Sequence, residues 1–225
     1  MKILFVFATR SRPQKCNEAI NSVLNNLSSD NYEIILTTDD DDKTMREATI
    51  PICNVKHCKG ASANKISAIN RGMTLAGEYS ILIVLSDDMR FITKGFDDIL
   101  REDMQKHFPD LDGVLHYPDQ HQGSNCMTMS IMGRKYYERD GFIYNPRFES
   151  LWSDIVAQEQ AQIRDKYKFI DTRLFDHLHP SFGDTPYDAQ YQKTEDISVR
   201  SRDYQTYIDL KKEYDPTNIY PIRGI

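Results

Sequence analysis

Two runs of consecutive apolar residues stand out along the chain: K-I-L-F-V-F-A from Lys2 to Ala8, and I-L-I-V-L from Ile81 to Leu85, which continues into S-D-D-M. Short apolar runs of this kind, rich in β-branched residues, read as strands buried on both faces, typical of a parallel sheet. Tyr32 to Thr38, Y-E-I-I-L-T-T, has a similar texture. Between the first and third of these strands, Cys16, Ala19, Ile20, Val23, Leu24 and Leu27 recur at helical spacing. Pro13 suits the first turn of that helix, and Ser11 is a suitable cap before it. Strand, helix and strand at this spacing predict a right-handed βαβ unit.

The alternation continues. Ile50 to His57 predicts a short strand, followed by a helix capped near Ser62, with Ile66, Ile69, Met73 and Ala76 inward and Gly77 at its end. The Ile81 strand follows, so the first part of the chain predicts an α/β fold: a Rossmann-like, mostly parallel central sheet with helices on both faces. Beyond Met89 the texture changes. A helix is expected over Gly95 to Gln105, then strands over Asp112 to Tyr117 and Cys126 to Met132 on either side of a polar loop, Pro118 to Asn125. Arg134 to Arg139 predicts a short helix. Ser153 opens another, with Ile155, Val156 and Ile163 on one side and Glu159 interrupting that face. A strand over Tyr167 to Thr172 leads into Asp176-His177-Leu178-His179-Pro180. From Gly183 onward the chain is polar and Tyr-rich, with one helix near Asp196 to Tyr214. The expected organisation is a main domain over 1–182, in halves 1–90 and 91–182, and a polar C-terminal extension over 183–225.

A chain of 225 residues can bury one sizeable core. Its 40% hydrophobic content fits a soluble globular protein. No apolar run approaches a membrane span, and the run after Lys2 is too short for a signal peptide, so a cytoplasmic protein with no transmembrane segment is expected. Cys16, Cys53, Cys58 and Cys126 form no C-x-x-C pair, which points to reduced thiols and away from a zinc or redox motif. A formal charge of −6 argues against general nucleic-acid binding. Much of the acid is local, in Asp39 to Asp42 and Asp87-Asp88.

Three charged segments fall at the carboxyl ends of predicted strands, where ligands bind in open α/β sheets: Thr9-Arg10-Ser11-Arg12, the run from Asp39, and Asp87-Asp88. Adjacent carboxylates repel, and a divalent cation would keep both ionised; Asp also simply opens turns, and the residues alone leave both readings open. Arg10 and Arg12 could hold phosphates as bidentate donors, or balance an acidic neighbourhood. An Asp just past the second strand could accept hydrogen bonds from a base or ribose. No G-x-G-x-x-G follows the first strand, which disfavours a classical dinucleotide fold.

The order T-R-S-R-P, T-T-D-D-D-D, K-I-S-A-I-N-R-G and L-S-D-D-M resembles the nucleotide-sugar half of GT-A fold glycosyltransferases, family 2-like in particular. Lys65, Ala68, Asn70 and Gly72 match the spacing of the helix that precedes a DxD-type motif in that family. The likeness covers residues 3–90 well and is looser to Pro180. It implies a hexosyl- or pentosyltransferase, inverting, that moves a sugar from a nucleotide-sugar, a UDP-sugar first, to a glycan or other hydroxyl-bearing acceptor. It further implies that Thr9, Arg10 and Arg12 contact the nucleotide, that Asp39 with Asp41 holds base and ribose, and that Lys65 lies near base or diphosphate. Asp88 would ligate Mn²⁺ or Mg²⁺, with Asp87 beside the ribose or donor sugar. Ser86-Asp87-Asp88 departs from a literal Asp-x-Asp, which leaves the division of roles between the two acids open. A downstream His is often a further ligand in the family. His177 and His179 share one face of an extended segment, and His179 is favoured because Pro180 turns the chain there. Asp154, opening a helix in the acceptor half, matches the place of the catalytic base, with Glu149 in reserve. A first-turn acid also simply stabilises a helix. Trp152 could form a sugar platform or pack in the core, and the loop from Pro118 could be an acceptor segment or solvated. The rival functions are a catalytically inactive nucleotide-sugar-binding module and a sugar nucleotidyltransferase. The latter needs a Gly-rich loop, and A-T-R-S-R-P has no glycine.

Overall fold

A computed structural model describes residues 1–48, 55–61 and 63–223. Among them, a central sheet of seven strands has the order β3-β2-β1-β4-β7-β6-β8. Its parallel part is β1 (Ile3–Ala8), β2 (Tyr32–Asp39), β3 (Val55–Gly60) and β4 (Ile81–Leu85). β7 (Ile131–Gly133) joins β4 antiparallel, and β6 (Val114–His116) and β8 (Tyr167–Phe169) complete the sheet.

The apolar runs are two-faced, as a doubly covered strand requires. Ile3, Phe5, Phe7, Ile83 and Leu85 pack with α1 (Pro13–Asn26) and α4 (Phe96–His107). Leu4, Val6, Ile35, Leu82 and Val84 face α3 (Lys65–Gly72), α6 (Ser153–Ile163) and α8 (Ile197–Tyr214). α3 lies so close to the sheet that a Cβ on Gly72 would stand 2.7 Å from Val6 Cγ1, which is why a glycine closes this helix.

Several expectations need correction. Ser11 does not cap α1: Arg12 occupies the N-cap position without a side-chain bond, while Ser11, at φ 56°, donates its N–H to Asp42 Oδ2 at 2.7 Å. Ser62 lies outside the described residues, as do Cys53 and the start of the strand expected from Ile50. α3 is capped by Asn64, whose side chain accepts from Ser67 N, and ends at Gly72; a 3₁₀ turn, Met73–Leu75, separates it from Gly77. The strand expected from Cys126 pairs only over Ile131–Gly133. Met127 N instead donates to the Gln158 side chain at 2.8 Å, so a side chain replaces the ladder there. α6 continues through Glu159 for a tertiary reason: buried Glu159 meets Lys211 Nζ of α8 at 2.7 Å.

Two short strands escape any periodicity. β5 (Met89–Phe91) and β9 (Phe175–His177) form an antiparallel ribbon in which Met89 pairs with His177. Leu178 N adds a bond to Asp88 O at 2.8 Å. This ribbon brings His177, about ninety residues further along the chain, beside the acids that follow β4.

α8 folds back over α6, burying Tyr207 and Leu210. Its Asp203 is 1% exposed and accepts three consecutive backbone N–H groups, from Glu149, Ser150 and Leu151, at 2.7–2.8 Å. Asp203→Ala strands those donors, so a loss of about 3 kcal/mol or more is expected in urea unfolding. A second expectation concerns His116, fully buried, with Nδ1 2.5 Å from Tyr167 OH. Burial lowers its pKa from 6.5 to about 4. The unfolded chain therefore takes up this proton first. Stability should fall as pH drops from 6.5 towards 4 and level off below, by roughly 3 kcal/mol in all for this group. The difference in unfolding free energy between wild type and His116→Gln should carry that slope.

Candidate active site

A cleft opens at the carboxyl ends of β1, β2 and β4, lined by Thr9, Arg10, Arg12, Asp39, Lys65, Asp87 and Asp88. Its floor is the acidic pair. Asp87 and Asp88 are 4% and 8% exposed, so each charge needs compensation from neighbouring elements. Thr9 Oγ1 donates to Asp87 Oδ2 at 2.7 Å, and Arg12 Nη1 to Oδ1 at 2.9 Å. Burial and the neighbouring Asp88 nevertheless push the Asp87 pKa upward. At Asp88, burial also favours the neutral acid, but His177 and Lys65 outweigh it and hold the pKa below the usual range. Tyr191 OH donates to Asp88 Oδ2 at 2.8 Å, and Oδ1 is buried with no hydrogen-bond partner.

The β2 side of the cleft is a charged lattice. Arg10 bridges Asp39 (2.7 Å) and Asp41 (2.6 Å), and Arg71 Nη2 reaches Asp39 Oδ1 at 3.2 Å. Lys65 is the first residue of α3 and lines the cleft with Ala68. Asn70 points away: its amide binds the main chain of Ile143 and Tyr144, tying α3 to the segment before α6.

Of the two histidines, the ring beside Asp88 is that of His177, with Nε2 at 3.5 Å from Asp88 Oδ2 and Nδ1 at 3.5 Å from Asp119 Oδ2. Burial opposes its charge, but the two carboxylates prevail and raise its pKa to about 9. His179 faces Glu195 at 3.1 Å and packs edge-on against Tyr191. Asp154 is not among the residues lining the cleft. It sits in the first turn of α6, where Cys126 Sγ donates to Oδ2 at 3.6 Å and Ile155 N to Oδ1 at 2.8 Å. Glu149 lines the cleft but is held by Arg202 at 2.6 Å. Trp152, before Asp154, is buried at φ 56° with its ring 5.3 Å from Tyr204. That left-handed conformation is costly for a bulky residue, and the packing holds it.

Residues that no motif marks complete the site. α7 (Ala189–Thr194) lies across the cleft mouth, with its cap Asp188 on Arg12 Nη2 (2.5 Å) and on Lys15 Nζ (3.1 Å). The Arg12 guanidinium also stands 4.1 Å over the Tyr191 ring. Patterning could not find Tyr191, Asp188, Arg71 or Asp119, because each acts through a contact distant in sequence.

A mostly parallel sheet in which, among the described strands, β7 alone is reversed, with an acidic pair at the carboxyl end of β4, matches the GT-A fold of glycosyltransferases. No family model matches the chain, and no curated protein is similar to it in sequence. Solved structures do match. S. aureus TarS 1–349 is 13% identical over 97% of this chain and 74% of its own, with a TM-score of 0.62; in complex with UDP it covers the whole of this chain at 14% identity, 76% of its own and the same TM-score. The mannosyltransferase PcManGT from Pyrobaculum calidifontis, in complex with GDP-Man and Mn²⁺, is 12% identical over 76% of this chain and 54% of its own, with a TM-score of 0.58. Against the longer TarS structure the chain spans 45% of the neighbour's length. At such identities the likeness shows the fold. Among the described residues, no helix is long and apolar enough to cross a membrane.

Proposed function

We propose that this protein transfers a sugar from a nucleotide-sugar, a UDP-sugar first, to a hydroxyl group of an acceptor, with inversion. The observation that carries this reading is the buried Asp87–Asp88 pair, facing Arg12 and Lys65 in one cleft at the carboxyl ends of the parallel strands. The UDP bound to TarS, and the GDP-Man and Mn²⁺ bound to the mannosyltransferase, support a nucleotide-sugar donor and a divalent cation.

In this reading Asp39, with Asp41, accepts hydrogen bonds from base and ribose, and Thr9 and Arg10 frame the nucleotide. Arg12 and Lys65 face the diphosphate; Arg12 already holds an anion, the Asp188 carboxylate, which the donor would replace. Asp87 lies beside ribose or donor sugar. A cation fits at Asp88, whose Oδ1 has no hydrogen-bond partner, and His177 is preferred to His179 as its second ligand because its ring already faces that carboxylate. Among the described residues no group of three or more metal-ligating side chains is assembled, so donor oxygens would complete the shell of Mn²⁺ or Mg²⁺. Bound there, the ion would offset the charge that builds on the departing diphosphate. Asp154, in the first turn of α6 and outside the residues that line the cleft, is assigned to receive the proton of the attacking hydroxyl, with Glu149, which lines the cleft, as the alternative. Residues 183–225, taken as an extension of the 1–182 domain, wall the cleft through α7.

Two measurements test this. In Mn²⁺ buffer, calorimetric binding of UDP should disappear with excess chelator and in Asp88→Asn; full affinity in both would remove the cation from the reading. Asp154→Asn should keep the melting temperature and UDP affinity while kcat falls about 10²–10⁴-fold. Turnover near the wild-type rate would move the base to Glu149. Absence of any donor turnover or hydrolysis by the wild type would favour a binding module.

A further inference from the structure

On the far side of His177 from Asp88 lies a second buried carboxylate, Asp119, 5% exposed. It heads the polar loop between β6 and β7. Its Oδ1 accepts the backbone N–H groups of His121 (2.8 Å) and Gln122 (2.5 Å), which closes the loop. A turn of that kind uses one oxygen. The other, Oδ2, accepts Thr128 Oγ1 at 3.0 Å and faces His177 Nδ1 at 3.5 Å. Gln120, the next residue, grips the same histidine by its main chain: Nε2 donates to His177 O at 2.9 Å, and His177 N donates to Oε1 at 2.8 Å. One short loop thus binds the backbone of His177 and sets a carboxylate 3.5 Å behind its ring, beside a buried Nδ1 that has no hydrogen-bond partner. The opposite ring nitrogen, Nε2, is the one directed at Asp88.

A loop that merely had to turn would not need a buried carboxylate with one oxygen turned to an imidazole, because burying that charge is costly. Histidines that bind metals commonly donate their other ring N–H to a carboxylate, which fixes tautomer and orientation together. We infer that Asp119 is a positioning residue for His177. It holds Nδ1 as the protonated nitrogen, so that Nε2 is presented to Asp88 and to a divalent cation there. Gln120 fixes the main chain from which the ring projects. Asp119 itself touches neither donor nor reacting atoms. The inference rests on the reading of Asp88 and His177 as ligands of that cation.

The conservative variant separates this role from loop closure. Asp119→Asn keeps an oxygen for His121 and Gln122, and its NH₂ can donate to Thr128, but that NH₂ cannot accept a hydrogen bond from Nδ1–H. Mn²⁺ alone is titrated into the 225-residue chain, and free ion is followed by electron paramagnetic resonance, for wild type, Asp119→Asn, His177→Ala and the double variant, each with its melting temperature. Asp119→Asn should weaken Mn²⁺ binding by about 10- to 100-fold. In the His177→Ala background the same change should add no further loss, since the two residues act as one unit. A purely structural Asp119 would not show that coupling. Unchanged Mn²⁺ affinity in Asp119→Asn, while His177→Ala loses it, would overturn the inference and leave the cation site standing. An equal loss with and without His177 would overturn it as well. If neither His177→Ala nor Asp88→Asn alters Mn²⁺ affinity, the cation reading itself fails. Should Asp119→Asn melt far below wild type, nitrogen NMR of the neutral His177 ring in the wild type decides instead: a proton on Nδ1 is expected, and a proton on Nε2 would overturn the inference.

Discussion

Burial of two adjacent carboxylates at the end of β4 is the constraint on which the rest of the site depends. An ionised carboxylate removed from water is unfavourable by several kcal/mol unless partners replace its hydration, and two side by side repel. Each neighbouring element answers part of that demand. The end of β1 contributes Thr9 and Arg12, the β5–β9 ribbon contributes His177, α3 contributes Lys65, and α7 contributes the Tyr191 hydroxyl. One oxygen, Asp88 Oδ1, is left without a hydrogen-bond partner. A fold selected for stability alone would gain by replacing the pair with neutral side chains, so its retention is an argument for a ligand.

The C-terminal segment is bound into this scheme. Asp188 supplies a carboxylate to Arg12 and Lys15, Asp203 fastens the backbone of residues 149–151, and Lys211 balances Glu159 inside the α6–α8 contact. Removing one partner of such a buried pair typically costs about 3–5 kcal/mol. The segment therefore does two kinds of work. It stabilises the loop that leads into Asp154, and it places a tyrosine on the carboxylate proposed to hold a cation.

Much of the fold was legible because it rests on local patterning. The apolar runs at Ile3 and Ile81 identified strands covered on both sides, and the stripe from Cys16 identified α1. The same patterning put Thr9, Arg10, Arg12, Asp39, Asp87 and Asp88 at strand ends, and the structure gathers them in one cleft. Where the reading slipped, a distant side chain had intervened. Ser11 serves Asp42 instead of capping α1, and Gln158 takes the place of a ladder partner at Met127.

The chain by itself determined most strands of the central sheet, its main helices and the acids and bases at the ends of the parallel strands. Those follow from periodicity and from the rule that a parallel sheet opens at its carboxyl ends. Tertiary structure alone decided which histidine meets Asp88, that Asp119 stands behind it, and that Tyr191 and Asp188 close over the cleft. The reason is physical. β5 and β9 are three residues each, too short to carry a period, and their pairing sets Met89 opposite His177 across a long stretch of chain. An alternation of two residues puts His177 and His179 on the same side of an extended segment. Only the partner strand and the loop packed behind it determine which imidazole is held against the buried carboxylate.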